Sequence, residues 1–292
     1  MAKITILLLI SLLNFTKSKL TGKIVGGEFS RIVDFPHSVF VVINCDYRVS
    51  TCGASILNQA ILLTAAHCLI KCTDKFYITA YVGSERKHQG IERNVVSFKV
   101  HDKYDPQTKA QDIALMRLGK NLQFGKRVKR IIIMKSPPKY FTAEIAGWGW
   151  IDSVGTKSEV LKHAKQRVYS RSQCFEIVRF IPVGTICASD IKGYPEKGDS
   201  GSALIIQGSI QIGIVSFKKR QIANETIVYT DVSYYHDWIL RNARELYCQN
   251  KKTGIKLMKK YKNETEKKWE KKKLLIEKLG RKLEENLNFN CM

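Results

Sequence analysis

A histidine, an aspartate and a serine follow one another along the chain in an order that suits nucleophilic catalysis. Asp112 lies about 45 residues after His67, and Ser200 stands in a Gly-Asp-Ser-Gly turn. A serine hydroxyl is a poor nucleophile at neutral pH, so it needs an imidazole to take its proton and a buried carboxylate to hold the imidazole tautomer. The three residues therefore predict a triad with Ser200 as nucleophile, His67 as general base and Asp112 as the group that orients His67.

Composition indicates a globular protein with a hydrophobic core. The chain has 292 residues, of which 44% are hydrophobic and 26% are charged, and its formal net charge is +23. These values exclude extended disorder for most of the chain, and 19 Gly and 6 Pro exclude collagen-like or Pro/Gly-rich repeats. A polytopic membrane protein is excluded because the one long apolar run stands at the very start.

The first residues predict a secretory signal peptide. Lys3 precedes the apolar run 4–13, which is too short for a comfortable membrane span, and a polar stretch follows. We expect residues 1–18 to be the signal peptide; a short buried strand or an uncleaved anchor are the alternatives. Eight cysteines fit four disulfides in an oxidising compartment, so the protein is expected to be secreted and extracellular.

Short β-type runs separated by turns dominate residues 24–232 and predict an all-β sandwich or barrel. Helical periodicity is confined to Tyr235–Tyr247, with Trp238, Ile239 and Leu246 as its buried stripe. The predicted strands are Ser38–Ile43, Ile61–Leu63, Phe76–Val82, Val95–Val100, Ile113–Leu118, Arg130–Met134, Ala143–Ala146, Ala203–Ile206 and Ile210–Phe217.

Beyond Cys248 the composition changes to a basic tail. Residues 249–292 hold 14 Lys/Arg against 6 Asp/Glu, a net charge of +8. Trp269, Ile276 and Leu283 recur every seven residues, which is compatible with an amphipathic partner helix or a short coiled coil. A solvated, partly helical tail is the alternative that we favour.

Residues 24–248 resemble the trypsin/chymotrypsin-like serine proteases. The resemblance rests on the three triad segments and on the motifs Ile24-Val25-Gly26-Gly27, Gly147-Trp148-Gly149, Ser216-Phe217, Val228-Tyr229-Thr230 and Trp238-Ile239. It implies two six-stranded antiparallel β-barrels with a C-terminal helix, and a serine endopeptidase that needs no cofactor. The expected organisation is a signal peptide (1–18), an activation propeptide (19–23), a protease domain (24–248) and a basic extension (249–292).

The resemblance also implies a zymogen that is activated by cleavage after Lys23. The freed α-amino group of Ile24 would then pair with the carboxylate of Asp199 inside the protein. That ion pair would order the turn in which the backbone N–H groups of Gly198 and Ser200 form the oxyanion hole.

Disulfide pairings follow in part from the same resemblance. It implies Cys52–Cys68 beside the catalytic histidine and Cys174–Cys187 before the active-site segment. Cys45 and Cys72 are expected on adjacent loops near the active-site rim and are paired on that ground. Cys248 and Cys291 remain, either bridging each other or forming intermolecular links; sequence alone does not decide connectivity.

The expected specificity pocket departs from that of trypsin. Tyr194 stands where trypsin-like members have the aspartate that binds Lys or Arg, and Glu196 replaces a cysteine that braces the pocket. Lys218 and Ile227 replace two pocket glycines, so we expect a narrow or closed pocket whose loops lack a covalent brace. The substrate-binding residues implied are Tyr194, Ser216, Phe217, Lys218 and Ile227.

Two functions remain open on this sequence. The first is an active secreted endopeptidase with narrow specificity that acts on protein or peptide substrates, and the second is a weak or inactive homologue that acts as a binding protein. The basic surface favours polyanion binding, with simple solubility as the alternative, and nucleic acid is not expected as a partner. Asn224 and Asn263 are glycosylation acceptors if the chain is secreted, and no metal-ligand cluster is apparent.

Overall fold

The computed structural model describes residues 27–45, 48–72, 75–152, 154–219 and 226–261. The predicted signal peptide and propeptide, the Ile24 terminus, Asn224, Asn263 and Cys291 lie outside the described residues. No helix among the described residues is both long enough and apolar enough to cross a membrane.

Six antiparallel strands close the first barrel. A two-residue strand, β1 (Glu28–Phe29), precedes them in the chain and pairs with the second barrel. The barrel strands are β2 (Ser38–Cys45), β3 (Arg48–Ile56), β4 (Ile61–Thr64), β5 (Phe76–Val82), β6 (Ile91–Val100) and β7 (Ala114–Leu118). They follow the closed order β2-β3-β4-β7-β6-β5. Alternate positions of β2, namely Val39, Val41 and Ile43, are buried in the barrel core, as expected for a strand with one face inward.

Six further antiparallel strands close the second barrel. A short strand, β8 (Ile132–Ile133), lies beside it in parallel pairing. The barrel strands are β9 (Thr142–Gly147), β10 (Lys162–Tyr169), β11 (Thr185–Lys192), β12 (Ala203–Ile206), β13 (Ile210–Lys219) and β14 (Thr226–Asp231). Their order is β9-β10-β11-β14-β13-β12, and β12 pairs back to β9. The two-barrel architecture implied by the resemblance is therefore confirmed.

Strand prediction from apolar runs missed β1, β3, β10 and β11, and β14 was marked only by the Val228-Tyr229-Thr230 motif of the resemblance. The cause is clearest in β10, where the buried positions hold Lys162, Ala164 and Gln166, so inward residues do not stand out as hydrophobic. Gln166 is satisfied there because its amide donates to the carbonyl oxygen of Gly193 at 2.6 Å.

Two α-helices complete the described fold: the expected C-terminal helix is confirmed, and a second, short helix was not predicted from the sequence. Helix α1 (Arg171–Val178) begins at a capping box in which Ser170 and Gln173 bond each other's backbone N–H. It buries only Cys174 and Val178, so it shows no apolar periodicity. Helix α2 (His236–Tyr261) packs on the first barrel, and its predicted stripe of Trp238, Ile239 and Leu246 is buried; the helix continues past the expected end at Tyr247.

Glycines allow the two barrels to meet at the centre of the molecule. A Cβ on Gly201 would lie 2.2 Å from Thr64 Oγ1 and 2.4 Å from the Gly53 carbonyl oxygen, and Gly201 has a φ of +83°. A Cβ on Gly53 would lie 1.9 Å from Ser202 Oγ. The backbone N–H of Gly53 donates to the carbonyl oxygen of Ser200 at 2.7 Å, so a direct backbone bond joins the barrels here.

We therefore expect Gly201→Ala to lower the free energy of unfolding by about 2–5 kcal/mol, since left-handed strain and overpacking add together. Gly208→Ala is the matched control: its φ is +70°, but nothing lies within 4 Å of the added Cβ, so only about 1–2 kcal/mol should be lost. Urea unfolding of both variants measures the difference. Equal losses would show that the barrel contact adds no steric constraint.

Candidate active site

His67 is presented by a single-turn 3-10 helix (Ala66–Cys68) that follows β4. Its ring Nδ1 lies 2.7 Å from Asp112 Oδ2, and its backbone N–H donates to Asp112 Oδ1 at 2.8 Å. The His67 side chain is 20% exposed, whereas the Asp112 carboxylate is fully buried. These two bonds fix the ring orientation and leave Nε2 as the edge available to a reactant.

Asp112 is held by groups from both barrels. It stands just before β7, after a loop in which Lys109 and Gln111 adopt left-handed φ values of 59° and 55°. From the second barrel, Ser216 Oγ donates to Asp112 Oδ2 and Thr230 Oγ1 donates to the Asp112 carbonyl oxygen at 2.7 Å. The carboxylate therefore keeps its position only when the barrels are packed together.

The net effect of this environment is to lower the pKa of Asp112. Burial by itself raises the pKa of this carboxyl, but the hydrogen bonds from His67 and Ser216 and the His67 charge favour the ionised form and outweigh it. The resemblance implies only substrate binding for Ser216 and no separate role for Thr230. No pattern in the chain identifies a hydroxyl as the partner of one distant aspartate.

Ser200 lies in the turn between β11 and β12, where glycines supply the unusual backbone angles. Gly198 has a φ of +99° and Gly201 a φ of +83°. Ser200 and His67 border the same open cleft of about 810 Å³. Within the described residues Ser200 Oγ forms no hydrogen bond to His67, and a nucleophile–base bond is often long without substrate. No described acceptor bonds the N–H groups of Gly198 or Ser200, so both donors are available for a ligand.

Asp199 is a second buried carboxylate, and glycines make room for it. Gly149 N–H donates to Oδ1 at 2.7 Å and Glu196 N–H donates to Oδ2 at 3.0 Å. A Cβ on Gly147 or Gly149 would lie 2.0 Å or 2.3 Å from a carboxylate oxygen, which explains the glycines of the Gly-Trp-Gly motif. Burial raises the pKa of Asp199 to about 6, although the two N–H bonds act in the opposite direction.

A cavity of about 220 Å³ opens beside Ser200. Four of the five predicted substrate-binding residues line it: Ser216, Phe217, Lys218 and Ile227. Tyr194 does not line it, but its ring centre lies 4.2 Å from Lys218 Nζ. Lys218 Nζ also donates to Glu196 Oε2 at 3.1 Å, an ion pair that sequence analysis missed. In the sequence, Glu196 and Lys218 each replace a different residue of the family's pocket, and their spacing does not indicate that they form a pair.

Three disulfides are formed by described residues. They are Cys45–Cys72, Cys52–Cys68 and Cys174–Cys187. Cys248 is also disulfide-bonded, to a partner that is not among the described residues. Cys52, His67 and Cys68 are the one close group of potential metal ligands in the described part of the chain, and both sulfurs are used in a disulfide.

Comparison with known proteins agrees with this fold. The trypsin family model matches residues 24–239. Hypodermin-B of Hypoderma lineatum is 34% identical over 233 residues, which cover 77% of this chain and 90% of that protein. A solved HL collagenase structure has a TM-score of 0.67 at 24% identity and covers 75% of this chain and 98% of its own. A scabies mite inactivated protease paralogue, S-D1, has a TM-score of 0.67 at 23% identity over 77% of this chain and 97% of its own.

The chain therefore belongs to the trypsin family of serine proteases.

The raised pKa of Asp199 predicts a pH-dependent stability in the uncleaved chain. Because the folded-state pKa of about 6 lies above the ordinary value of 3.8, the folded protein binds this proton more tightly than the unfolded protein. The stabilisation is complete below about pH 4 and is lost as the pH rises through about 6, a difference of about 3 kcal/mol. Chemical unfolding of wild type and Asp199→Asn between these pH values measures it. Other groups titrate in the same range, among them the buried His37, whose pKa is lowered to about 4, so the contribution of Asp199 is the difference between the slopes of the two proteins. Equal slopes in wild type and variant would contradict the assignment.

Proposed function

We propose that this chain is a secreted serine endopeptidase that cleaves peptide bonds through an acyl-enzyme formed on Ser200. The observation that carries the proposal is the His67–Asp112 pair, 2.7 Å apart and anchored by a fully buried carboxylate at the cleft that Ser200 borders. In this scheme the protease domain spans 24–248 and needs no cofactor.

The proposed reaction uses the groups already described. His67 Nε2 accepts the proton of Ser200 Oγ as the oxygen attacks the substrate carbonyl, and Asp112 stabilises the imidazolium that forms. The N–H groups of Gly198 and Ser200 donate to the developing oxyanion. His67 then returns the proton to the leaving amine, and water attacks the ester along the reverse route to release the acid.

Activation is proposed to follow cleavage after Lys23. The Ile24 ammonium would supply the cation that Asp199 lacks among its described hydrogen-bond partners. The raised pKa of Asp199 supports this step, because a buried carboxylate whose described hydrogen bonds come from two backbone N–H groups gains stability from a positive charge beside it. Gly198 is one residue away, so ordering of this turn would reach the oxyanion donors directly.

Secretion is proposed from the N-terminal segment and the disulfides. Residues 1–18 have the charge and length of a signal peptide, and three described disulfides require an oxidising compartment to form and persist. Asn224 and Asn263 would then be glycan acceptors.

An inactive binding protein is the second candidate. Two observations favour it: Ser200 Oγ is not hydrogen-bonded to His67 in the described structure, and a neighbour of the same fold is named an inactivated protease paralogue. The retained His67, Asp112 and Ser200, with free N–H donors at the turn, favour the active enzyme.

Fluorophosphonate labelling separates the two candidates. Protein cleaved after Lys23 should be labelled at Ser200, because the probe needs only the nucleophile, the base and the oxyanion donors. Ser200→Ala should abolish labelling, and Asp112→Asn should slow it by about three to four orders of magnitude, since the wrong imidazole tautomer is held. Ser202→Ala, two residues on in the same turn, is the matched control and should keep it. A folded, cleaved protein that remains unlabelled would make the binding protein the better assignment.

Polyanion binding is proposed as an additional property of the secreted chain. Without residues 1–23, which hold four lysines and no acids, the chain carries +19, of which the tail supplies +8. Such a charge attracts sulfated polysaccharides through long-range electrostatics.

We expect binding to immobilised heparin that weakens steeply with salt, because exposed charges are screened over about 10 Å at 0.1 M ionic strength. Deletion of residues 249–292, in a Cys248→Ser background, should lower the salt concentration needed for elution. The full-length Cys248→Ser protein is the control. Unchanged elution after the deletion would place the polyanion site elsewhere on the surface.

A further inference from the structure

We propose that Glu196 and Lys218 form an internal ion pair that makes the specificity pocket selective for uncharged substrate side chains. The same pair braces the pocket where the family resemblance implies a disulfide. This inference rests on the proposed protease function, which it deepens by naming the substrate class.

The pair is close and largely removed from solvent. Lys218 Nζ lies 3.1 Å from Glu196 Oε2, and the two side chains are 17% and 18% exposed. The Tyr194 ring lies 4.2 Å from the same ammonium, which adds a cation–π contact. The second oxygen of the carboxylate, Oε1, accepts the backbone N–H of Lys197 at 3.3 Å.

Both charges face the cavity beside the nucleophile. Glu196 and Lys218 line the space of about 220 Å³ that Ser200 also borders. The other walls include the uncharged residues Val215, Phe217 and Ile227. Lys197 is a third charged residue of the lining, but its ammonium lies 4.5 Å from the centre of the Trp150 ring.

A paired cavity disfavours charged side chains of either sign. A substrate lysine or arginine would compete with Lys218 for Glu196, and a substrate aspartate or glutamate would compete with Glu196 for Lys218. When a charged side chain of either sign enters the cavity, it loses its hydration and separates the partly buried Glu196–Lys218 pair. The new attraction to one member of the pair is weaker than these two losses together. An uncharged side chain contacts the apolar walls and leaves the pair in place.

The pair also connects two segments that line the cavity. Lys218 lies on β13, where it is paired in register with Ile227 of β14. Glu196 lies in the turn that leads to Ser200, and its backbone N–H donates to Asp199. The ion pair thus ties the β13–β14 wall to the turn that carries the nucleophile.

Charge-changing variants test the proposal by converting the preference in opposite directions. Lys218→Met removes the ammonium and leaves a negative charge on Glu196 in the pocket. Glu196→Gln removes the carboxylate and leaves the positive charge of Lys218. We expect kcat/KM ratios, measured on peptide substrates that differ only in the side chain before the scissile bond, to move about tenfold toward Lys or Arg in the first variant. In the second they should move about tenfold toward Asp or Glu. Wild type should favour uncharged side chains over both.

Two further variants serve as controls. Lys197→Met removes an ammonium from the same lining but not from the pair, so its preference should match wild type. The exchanged pair, Glu196→Lys with Lys218→Glu, should restore the preference for uncharged side chains even where a single variant is poorly folded. A Lys197→Met shift as large as that of Lys218→Met, or no shift in either single variant, would overturn the proposal.

A binding measurement keeps this test separate from the question of catalysis. Calorimetry with benzamidine as cationic probe and benzoate as anionic probe needs no reaction at Ser200. Wild type should bind both weakly, Lys218→Met should gain about tenfold for benzamidine, and Glu196→Gln should gain about tenfold for benzoate. If the variants show these gains in affinity but Ser200 is not labelled by the fluorophosphonate, the protease function is refuted and the charge-paired pocket is supported. If Ser200 is labelled but the variants show no gain in affinity, the protease function is supported and the pocket assignment is refuted.

Discussion

The buried carboxylate of Asp112 is the constraint on which the rest of the site depends. An ionised carboxylate is costly to bury unless its oxygens receive hydrogen bonds, and here the donors come from both barrels: His67 from the first and Ser216 from the second. Thr230 of the second barrel holds the carbonyl oxygen of the same residue. The barrels must therefore be docked before this charge is satisfied, and docking brings Ser200 to the cleft that His67 borders. Gly53 and Gly201 allow the close approach, because a side chain at either position would separate the two surfaces.

The two buried carboxylates behave in opposite ways because their partners differ. Asp112 has an imidazole, a hydroxyl and a backbone N–H, and its pKa is lowered. Asp199 has two backbone N–H donors in the described structure, and its pKa is raised to about 6. The first carboxylate is stabilised as a charge, whereas burial disfavours the charge of the second, and a nearby cation would stabilise it. This difference supports the proposed roles of Asp112 in orienting the base and of Asp199 in activation.

The pocket illustrates how one kind of brace can be replaced by another. Where the resemblance implies a cysteine, Glu196 bonds the ammonium of Lys218, a residue that also stands where the resemblance implies glycine. The replacement of a cysteine by Glu196 and of a glycine by Lys218 would each be expected to disturb the pocket alone. Together the two residues form a complementary ion pair. Ile227 is buried in β14 and narrows the same space, yet a cavity remains beside Ser200. A charge pair, unlike a disulfide, also decides which substrate charges are excluded.

Sequence alone determined the family resemblance, the two-barrel architecture that it implies and the residues of the candidate triad, because short motifs with fixed roles mark them. It also indicated most strands of the barrels, since short runs rich in β-branched and aromatic residues between turns are typical of strands. It missed β10, whose inward positions hold Lys162 and Gln166, and α1, which buries only two residues. The hydroxyl partners of Asp112, the room that glycines leave for Asp199 and the Glu196–Lys218 pair were decided by tertiary structure. Each depends on groups brought together from distant parts of the chain, and such contacts leave no period or spacing in the sequence.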